Sequence, residues 1–187
     1  MTKYIAAATL ILLILLVMAR AFQLKNLGIK AVQFGEMDKR DFLIPPFALL
    51  LFYMVFASAF GLPGIGAELF SNELAGWVGA VICIMGILLF IYALISFGRS
   101  FRVGLDEDHP GELVTTGAFS ISRNPIYTAF GLVLAGIFLI IPNWVILIYV
   151  FAGIWLLNRQ ILLEERSLKK IYGEKYTEYC KRVRRFL

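Results

Sequence analysis

Apolar residues run in five long blocks along this chain, and polar residues are gathered into the gaps between them. The blocks cover residues 4–21, 42–60, 74–97, 126–141 and 144–157, the last running on to 163. Arg20, at the end of the first block, and Arg159, in the extension of the last, are the charges these blocks contain. A helix needs about 20 residues to cross a hydrocarbon core. The pattern therefore predicts an all-α fold, a polytopic membrane bundle of about five transmembrane helices. Block 126–141 is short, and Pro142-Asn143 turns it straight into the next, which predicts a tight helical hairpin. Ala75, Gly79 and Cys83, and again Gly131 and Ala135, put small residues four apart on one face. That spacing suits close helix packing in lipid.

Composition agrees with lipid as the solvent. Of 187 residues 60% are hydrophobic and only 17% charged, too few charges to cover a water-facing surface. The charges also orient the chain. Lys3 precedes the first block, while the other 17 of the 18 basic residues fall at the ends of blocks one, three and five or after them. With the N-terminus outside and the C-terminus inside, those 17 are cytoplasmic, as the positive-inside rule requires. The expectation is a single inner-membrane domain over residues 1–187, with its polar loops in the cytoplasm. A competing reading makes 4–21 a cleaved signal peptide, with Ala19 and Ala21 as its small-residue cleavage site and Lys3 as its basic start. Cleavage would leave four spans and send the arginine-rich loops outward, against the charge rule.

Several kinds of chemistry are disfavoured. Cys83 sits within a span and Cys180 in the tail, so no disulfide framework is expected. His109 is the sole histidine, too little for a metal site of His and Cys ligands or a histidine-based triad. A basic tail on a membrane bundle meets a lipid surface before any nucleic acid.

Three polar segments remain. Residues 22–41 read as a solvated connector of mixed charge. Residues 98–124 end in Asn124-Pro125, an N-cap followed by proline at the first helical position. Free N–H groups at such a helix start attract a carboxylate or phosphate, and Arg123 adds charge beside them. The stretch Leu113-Val114-Thr115-Thr116-Gly117 is β-prone and ends at a glycine that lets backbone approach a ligand. The tail opens with Asn158-Arg159-Gln160 and Glu164-Glu165-Arg166. Gln160 and Glu164 are four apart and share a helix face. Beyond them Leu168, Tyr172, Tyr176, Tyr179, Val183 and Phe186 recur among Lys and Arg as an amphipathic stretch, bent at Gly173, lying on the inner leaflet or over the loop. Its Lys181-Arg182-Val183-Arg184-Arg185 cluster favours anionic lipid.

At these segments the sequence resembles the isoprenylcysteine carboxyl methyltransferases and, more distantly, the phospholipid N-methyltransferases. The resemblance runs over about residues 96–187. It is carried by Leu113-Val114-Thr115-Thr116-Gly117-Ala118-Phe119, by Ser122-Arg123-Asn124-Pro125-Ile126-Tyr127, by Glu164-Glu165, and by Tyr172-Gly173 with Tyr176 and Tyr179. Residues 1–95 match only as generic spans. The resemblance implies an enzyme that uses S-adenosylmethionine to methylate a lipid or other hydrophobic acceptor at the cytoplasmic face. Carried over by position, Leu113, Val114, Gly117, Phe119, Arg123, Asn124, Pro125, Tyr127, Glu164 and Glu165 hold the cofactor. Arg159 and Gln160 stand at the catalytic and acceptor side, with Arg102 a further acceptor contact. The helix start and Arg123 suit the cofactor's carboxylate, Glu164 its ammonium, and Phe119 or Tyr127 its adenine or sulfonium.

Three positions depart from the family. Asn124 replaces a frequent histidine and Phe119 a frequent tyrosine. Gln160 replaces the arginine that eukaryotic carboxyl methyltransferases place four before the Glu pair. Arg159 is adjacent, but one residue is about 100° around a helix. Other readings are a membrane reductase with a nicotinamide cofactor and a non-catalytic membrane scaffold. A transporter fits poorly with spans so free of ionisable groups.

Overall fold

The computed structural model describes residues 1–26, 44–98 and 112–187. Most of the connector at 22–41, together with Arg99, Arg102 and His109, lies outside the described residues. Among the described residues six α-helices carry the fold: α1 (Thr2–Asn26), α2 (Ile44–Phe60), α3 (Glu73–Phe97), α4 (Pro125–Ile140), α5 (Trp144–Tyr172) and α6 (Glu174–Arg182). A 3-10 turn, Gly117–Ser120, precedes α4. No strand occurs among the described residues, and the β-prone run before Gly117 is irregular backbone.

Helices α1, α3 and α5 are long and apolar enough to cross a membrane, whereas α2 and α4 are shorter apolar helices. With 16 residues, α4 is about 24 Å long and falls short of a full hydrocarbon core. The fifth helix runs past the expected stop near residue 163 to Tyr172 without a break. It ends at Gly173, whose φ of 55° is open to glycine and strained for other residues.

Helices α3 and α4 form the tightest pair in the bundle, and glycine is the reason. A Cβ built on Gly136 would stand 2.6 Å from both the Gly79 carbonyl and Cys83 Sγ. One on Gly86 would meet Val133 at 2.8 Å and the Ala129 carbonyl at 3.1 Å. Of the small residues of α3, Gly79 and Cys83 thus take the close contact. Those of α4 do not, because Gly131 faces open space and Gly136 takes the contact. In lipid, where apolar burial gives helices little drive to associate, such backbone approach carries the packing.

Both ends of the bundle are tied by polar contacts. At one end Asn143 caps α5 by accepting from Val145 N at 2.7 Å, and it donates to the Ile65 carbonyl at 3.0 Å. Leu69 N donates to the Pro142 carbonyl at 2.7 Å, so the α2–α3 loop lies against the α4–α5 hairpin. Midway, Phe47 of α2 stacks on Tyr149 of α5 at 3.8 Å. At the other end Arg20 of α1 donates to the Gly98 carbonyl that closes α3. Cationic groups are favourable at such a helix end.

Gly136→Ala should lower bundle stability by about 1–3 kcal/mol, the cost of overpacking a filled contact. Gly131→Ala, facing open space, should leave stability unchanged or slightly raised. Thermal melts of both variants in one detergent make the comparison, and equal losses would show that the α3–α4 approach is not limiting.

Candidate functional site

The end of the bundle where α3 finishes, α4 starts and α5 leaves its apolar stretch collects most of the residues singled out above. Its frame is the turn from Gly117 to Asn124, held on two sides. On one side Ser96, in the last turn of α3, accepts from Ala118 N at 2.9 Å while its hydroxyl donates to the Tyr92 carbonyl at 2.7 Å. Gly117 rests directly on Ser96 with φ of 62°, leaving no room for a Cβ. The Phe119 ring meets Phe97 edge to face at 4.8 Å.

On the other side lies the tail. Tyr179 of α6 donates to the Phe119 carbonyl at 2.6 Å. Past α6 the backbone pairs with the turn, Arg123 N donating to the Arg184 carbonyl at 2.9 Å. The fully buried Ser122 hydroxyl and the Asn124 side-chain amide both donate to the Arg185 carbonyl, at 3.2 and 3.3 Å. The amphipathic tail therefore lies over the loop. Tyr176 and Tyr179 form its buried face, while Phe186 is exposed.

This docking changes what two expected residues do. Asn124 occupies the N-cap of α4, but its side chain makes no capping bond because it is engaged by the tail. Its carbonyl instead accepts from Thr128 through both backbone N, at 3.0 Å, and hydroxyl, at 2.9 Å. Pro125, at the first helical position, is buried.

The two adjacent glutamates point to different partners. Glu164 accepts from the Tyr127 hydroxyl and from the Gln160 side chain. Two elements 37 residues apart thus meet in a three-residue polar cluster between α4 and α5. One step along the helix, Glu165 faces α6. Arg185 grips it as a fork, Nε to Oε1 at 3.1 Å and Nη2 to Oε2 at 2.6 Å. Arg123 approaches the same carboxylate at 3.5 Å and donates to Cys180 Sγ. Glu165 and Arg123 are largely buried, so removing either partner leaves a charge in a poor dielectric. Burial raises the Tyr176 phenol above its ordinary range, with the Glu165 charge adding to it. Burial likewise pushes Tyr179 up to about 12, against the opposing pull of Arg123. Both stay neutral donors at physiological pH.

The predicted residues thus fall into distinct groups. Tyr127, Gln160 and Glu164 converge. Arg123 and Glu165 belong with Arg185 and Cys180. Gly117 and Phe119 dock onto α3, and Leu113 and Val114 are half-buried just before them. Arg159 borders a shallow hollow with Trp155 and Asn158. Arg102 is outside the described residues. Sequence reasoning missed Ser96, which carries no motif, and Arg185, which it read as one of several lipid-facing cations. Tyr179 lay within a quoted motif without a role.

A family model described as phospholipid methyltransferase matches residues 74–175, more than half of the chain and the whole α3–α5 core. The chain belongs to the phospholipid methyltransferase family. Protein-S-isoprenylcysteine O-methyltransferase B of Arabidopsis thaliana is 33% identical over 110 residues, covering 56% of this chain and 55% of that protein. A probable protein-S-isoprenylcysteine O-methyltransferase of Oryza sativa subsp. indica is 27% identical over 121 residues, 62% of each chain. Protein-S-isoprenylcysteine O-methyltransferase A of Arabidopsis thaliana is 30% identical over 115 residues, 57% of each. The chain spans between about half and two thirds of the length of these relatives. No solved structure matches it. Family membership and the apolar helices make it a membrane protein. Among the described residues no group of acidic, histidine or cysteine side chains is arranged to hold a metal ion.

Tyr179→Phe should orphan the buried Phe119 carbonyl and cost about 1–3 kcal/mol of tail docking. The same contact carries a pH signature. A phenol raised in the folded state contributes fully below its ordinary value near 10, and the contribution fades as pH rises through about 12. Limited trypsin cleavage in the lysine- and arginine-rich tail should accelerate in the variant at neutral pH, and in the parent only at that alkaline limit. An unchanged cleavage rate in the variant would mean that the tail is held by other contacts.

Proposed function

We propose that this family member is an integral membrane methyltransferase that uses S-adenosylmethionine and modifies a lipid or other hydrophobic acceptor at the cytoplasmic face. The observation that carries the reading is the Tyr127–Glu164–Gln160 cluster, in which two family motifs distant in sequence meet at one point. The names of its curated relatives support the reaction class. The basic flanks of the spans support the cytoplasmic placement.

The donor set fits the proposed cofactor. A carboxylate held by a phenol and an amide retains lone pairs for an ammonium, and the Tyr127 ring beside it suits a sulfonium. Arg123 is committed to Glu165 and Cys180, so a cofactor carboxylate falls to the start of α4 in this reading. When bound, S-adenosylmethionine supplies a methyl group already activated on a sulfonium. The protein then has to orient the acceptor in line and keep water out, which requires little covalent help. Glu164 and Tyr127 fix one end of that alignment. The Gly117–Asn124 turn, sealed by the tail, covers the site. Gln160 borders the position from which an acceptor approaches. It offers hydrogen bonds without charge, so a neutral acceptor or an amine suits it better than a carboxylate.

Titration of the detergent-purified protein with S-adenosylmethionine and S-adenosylhomocysteine should show micromolar binding. Glu164→Ala should weaken it by at least about tenfold, the loss of one charge-assisted contact worth roughly 1.5–3 kcal/mol. Absence of binding to folded protein, with a nicotinamide dinucleotide bound in its place, would overturn the methyltransferase reading in favour of a reductase. Binding of neither would leave a scaffold. Gln160→Arg tests the acceptor side and should shift preference toward carboxylate-bearing acceptors.

A further inference from the structure

The face of α5 turned away from Glu164 carries a second polar feature that the proposed reaction does not use. Leu162 is two positions from Glu164, about 200° around the helix. There an open groove of about 260 Å³ runs between α5 and α6. Arg123, Arg166 and Lys169 line it against a single carboxylate, Glu165, with Leu162 and Tyr176 as its apolar walls. That carboxylate is already gripped by the Arg185 fork. Among the described residues the side chains of Arg166 and Lys169 have no ion-pair or hydrogen-bond partner. Arg123 is itself engaged by Glu165 and Cys180. The excess positive charge of the groove therefore comes from Arg166 and Lys169.

Its depth says what kind of anion it suits. Leu162 lies where the apolar stretch of α5 gives way to charged residues, the level of lipid headgroups. Ile148, Trp155, Leu162 and Lys169 follow at intervals of seven, which keeps them on one stripe of the helix. The apolar part of this stripe is open: Ile148 is 58% and Trp155 61% exposed, with Phe151 nearby at 65%. A second hollow, bordered by Trp155, Asn158 and Leu163, shares Leu162 and Arg166 with the groove. Cations at headgroup depth thus continue without interruption into an apolar track toward the bilayer centre.

We propose that this groove binds the phosphate of an anionic phospholipid, with the lipid's chains lying along the Ile148–Phe151–Trp155 stripe of α5. A soluble anion would satisfy the cations but leave the track unused. The lipid is a resident ligand on the outer face of α5 and is separate from the acceptor, which belongs to the Glu164 face. Basic pockets beside membrane helices hold anionic headgroups by this combination of charge and depth.

Native mass spectrometry of the full chain in detergent, titrated with phosphatidylglycerol and with phosphatidylcholine of the same chains, reads the binding directly. Phosphatidylglycerol should bind preferentially. The double variant Arg166→Gln/Lys169→Gln, both exposed positions, should weaken it by about tenfold or more. Lys181→Gln/Arg182→Gln removes the same charge from exposed positions elsewhere on the tail and should change affinity less than about twofold. Equal losses in the two variants would reduce the effect to diffuse surface charge and overturn the site. Displacement of the lipid by inorganic phosphate would overturn the lipid assignment in favour of a soluble anion. Displacement by S-adenosylmethionine would show that the groove belongs to the cofactor.

Discussion

The closeness of α3 and α4 is the constraint on which the functional end depends. Gly79 and Gly136 let two backbones meet where any side chain would hold them apart. Together with the approach of Gly86 to Ala129 and Val133, that contact holds α3 against α4, and the Gly117–Asn124 turn bridges their ends. Ser96 receives the turn from one helix and Asn124 passes it into the other. The glycines thus hold the two helices that the turn joins, at a distance from the Tyr127–Glu164–Gln160 cluster.

Electrostatics divides the labour of two neighbouring carboxylates. At a membrane boundary, adjacent glutamates repel and are costly to desolvate. The helix separates them by about 100° and gives each its own partners. Glu165 is neutralised by the Arg185 fork, with Arg123 close by, and so fastens α5 to the tail and the turn. Among the described residues Glu164 meets neutral donors, Tyr127 and Gln160, and no cation. The same doublet supplies one ion pair to the tail and one carboxylate to the Tyr127–Gln160 cluster.

Much of this was legible in the sequence, and the failures share a cause. The five apolar helices, the Pro142-Asn143 hairpin, the bend at Gly173 and the tyrosine face of the tail follow from periodicity and local backbone preference. The shared face of Gln160 and Glu164 follows from helical spacing. What depends on tertiary docking did not show. Asn124 reads as a capping side chain until the Arg185 carbonyl draws its amide away. Gly131 and Gly136 are equally small, and only the neighbouring helix decides which is used. Ser96 is an ordinary serine near the end of an apolar helix until Ala118 returns to it. The α5 helix also outran its apolar pattern, because its charged last turns pack against α6 instead of fraying into solvent.

The pairing of residues 184 and 185 with residues 122–124 has a consequence for the order of assembly. Membrane helices insert as they are made, and packing follows. The turn before α4 is synthesised some 60 residues ahead of the strand-like segment that seals it. During that interval the Arg185 carbonyl is not there to accept from the Ser122 hydroxyl and the Asn124 amide. Helices α1–α5 can therefore be made while the turn before α4 is still unsealed. A ribosome stalled within α6 would leave those helices in place and the turn without the backbone that fastens it.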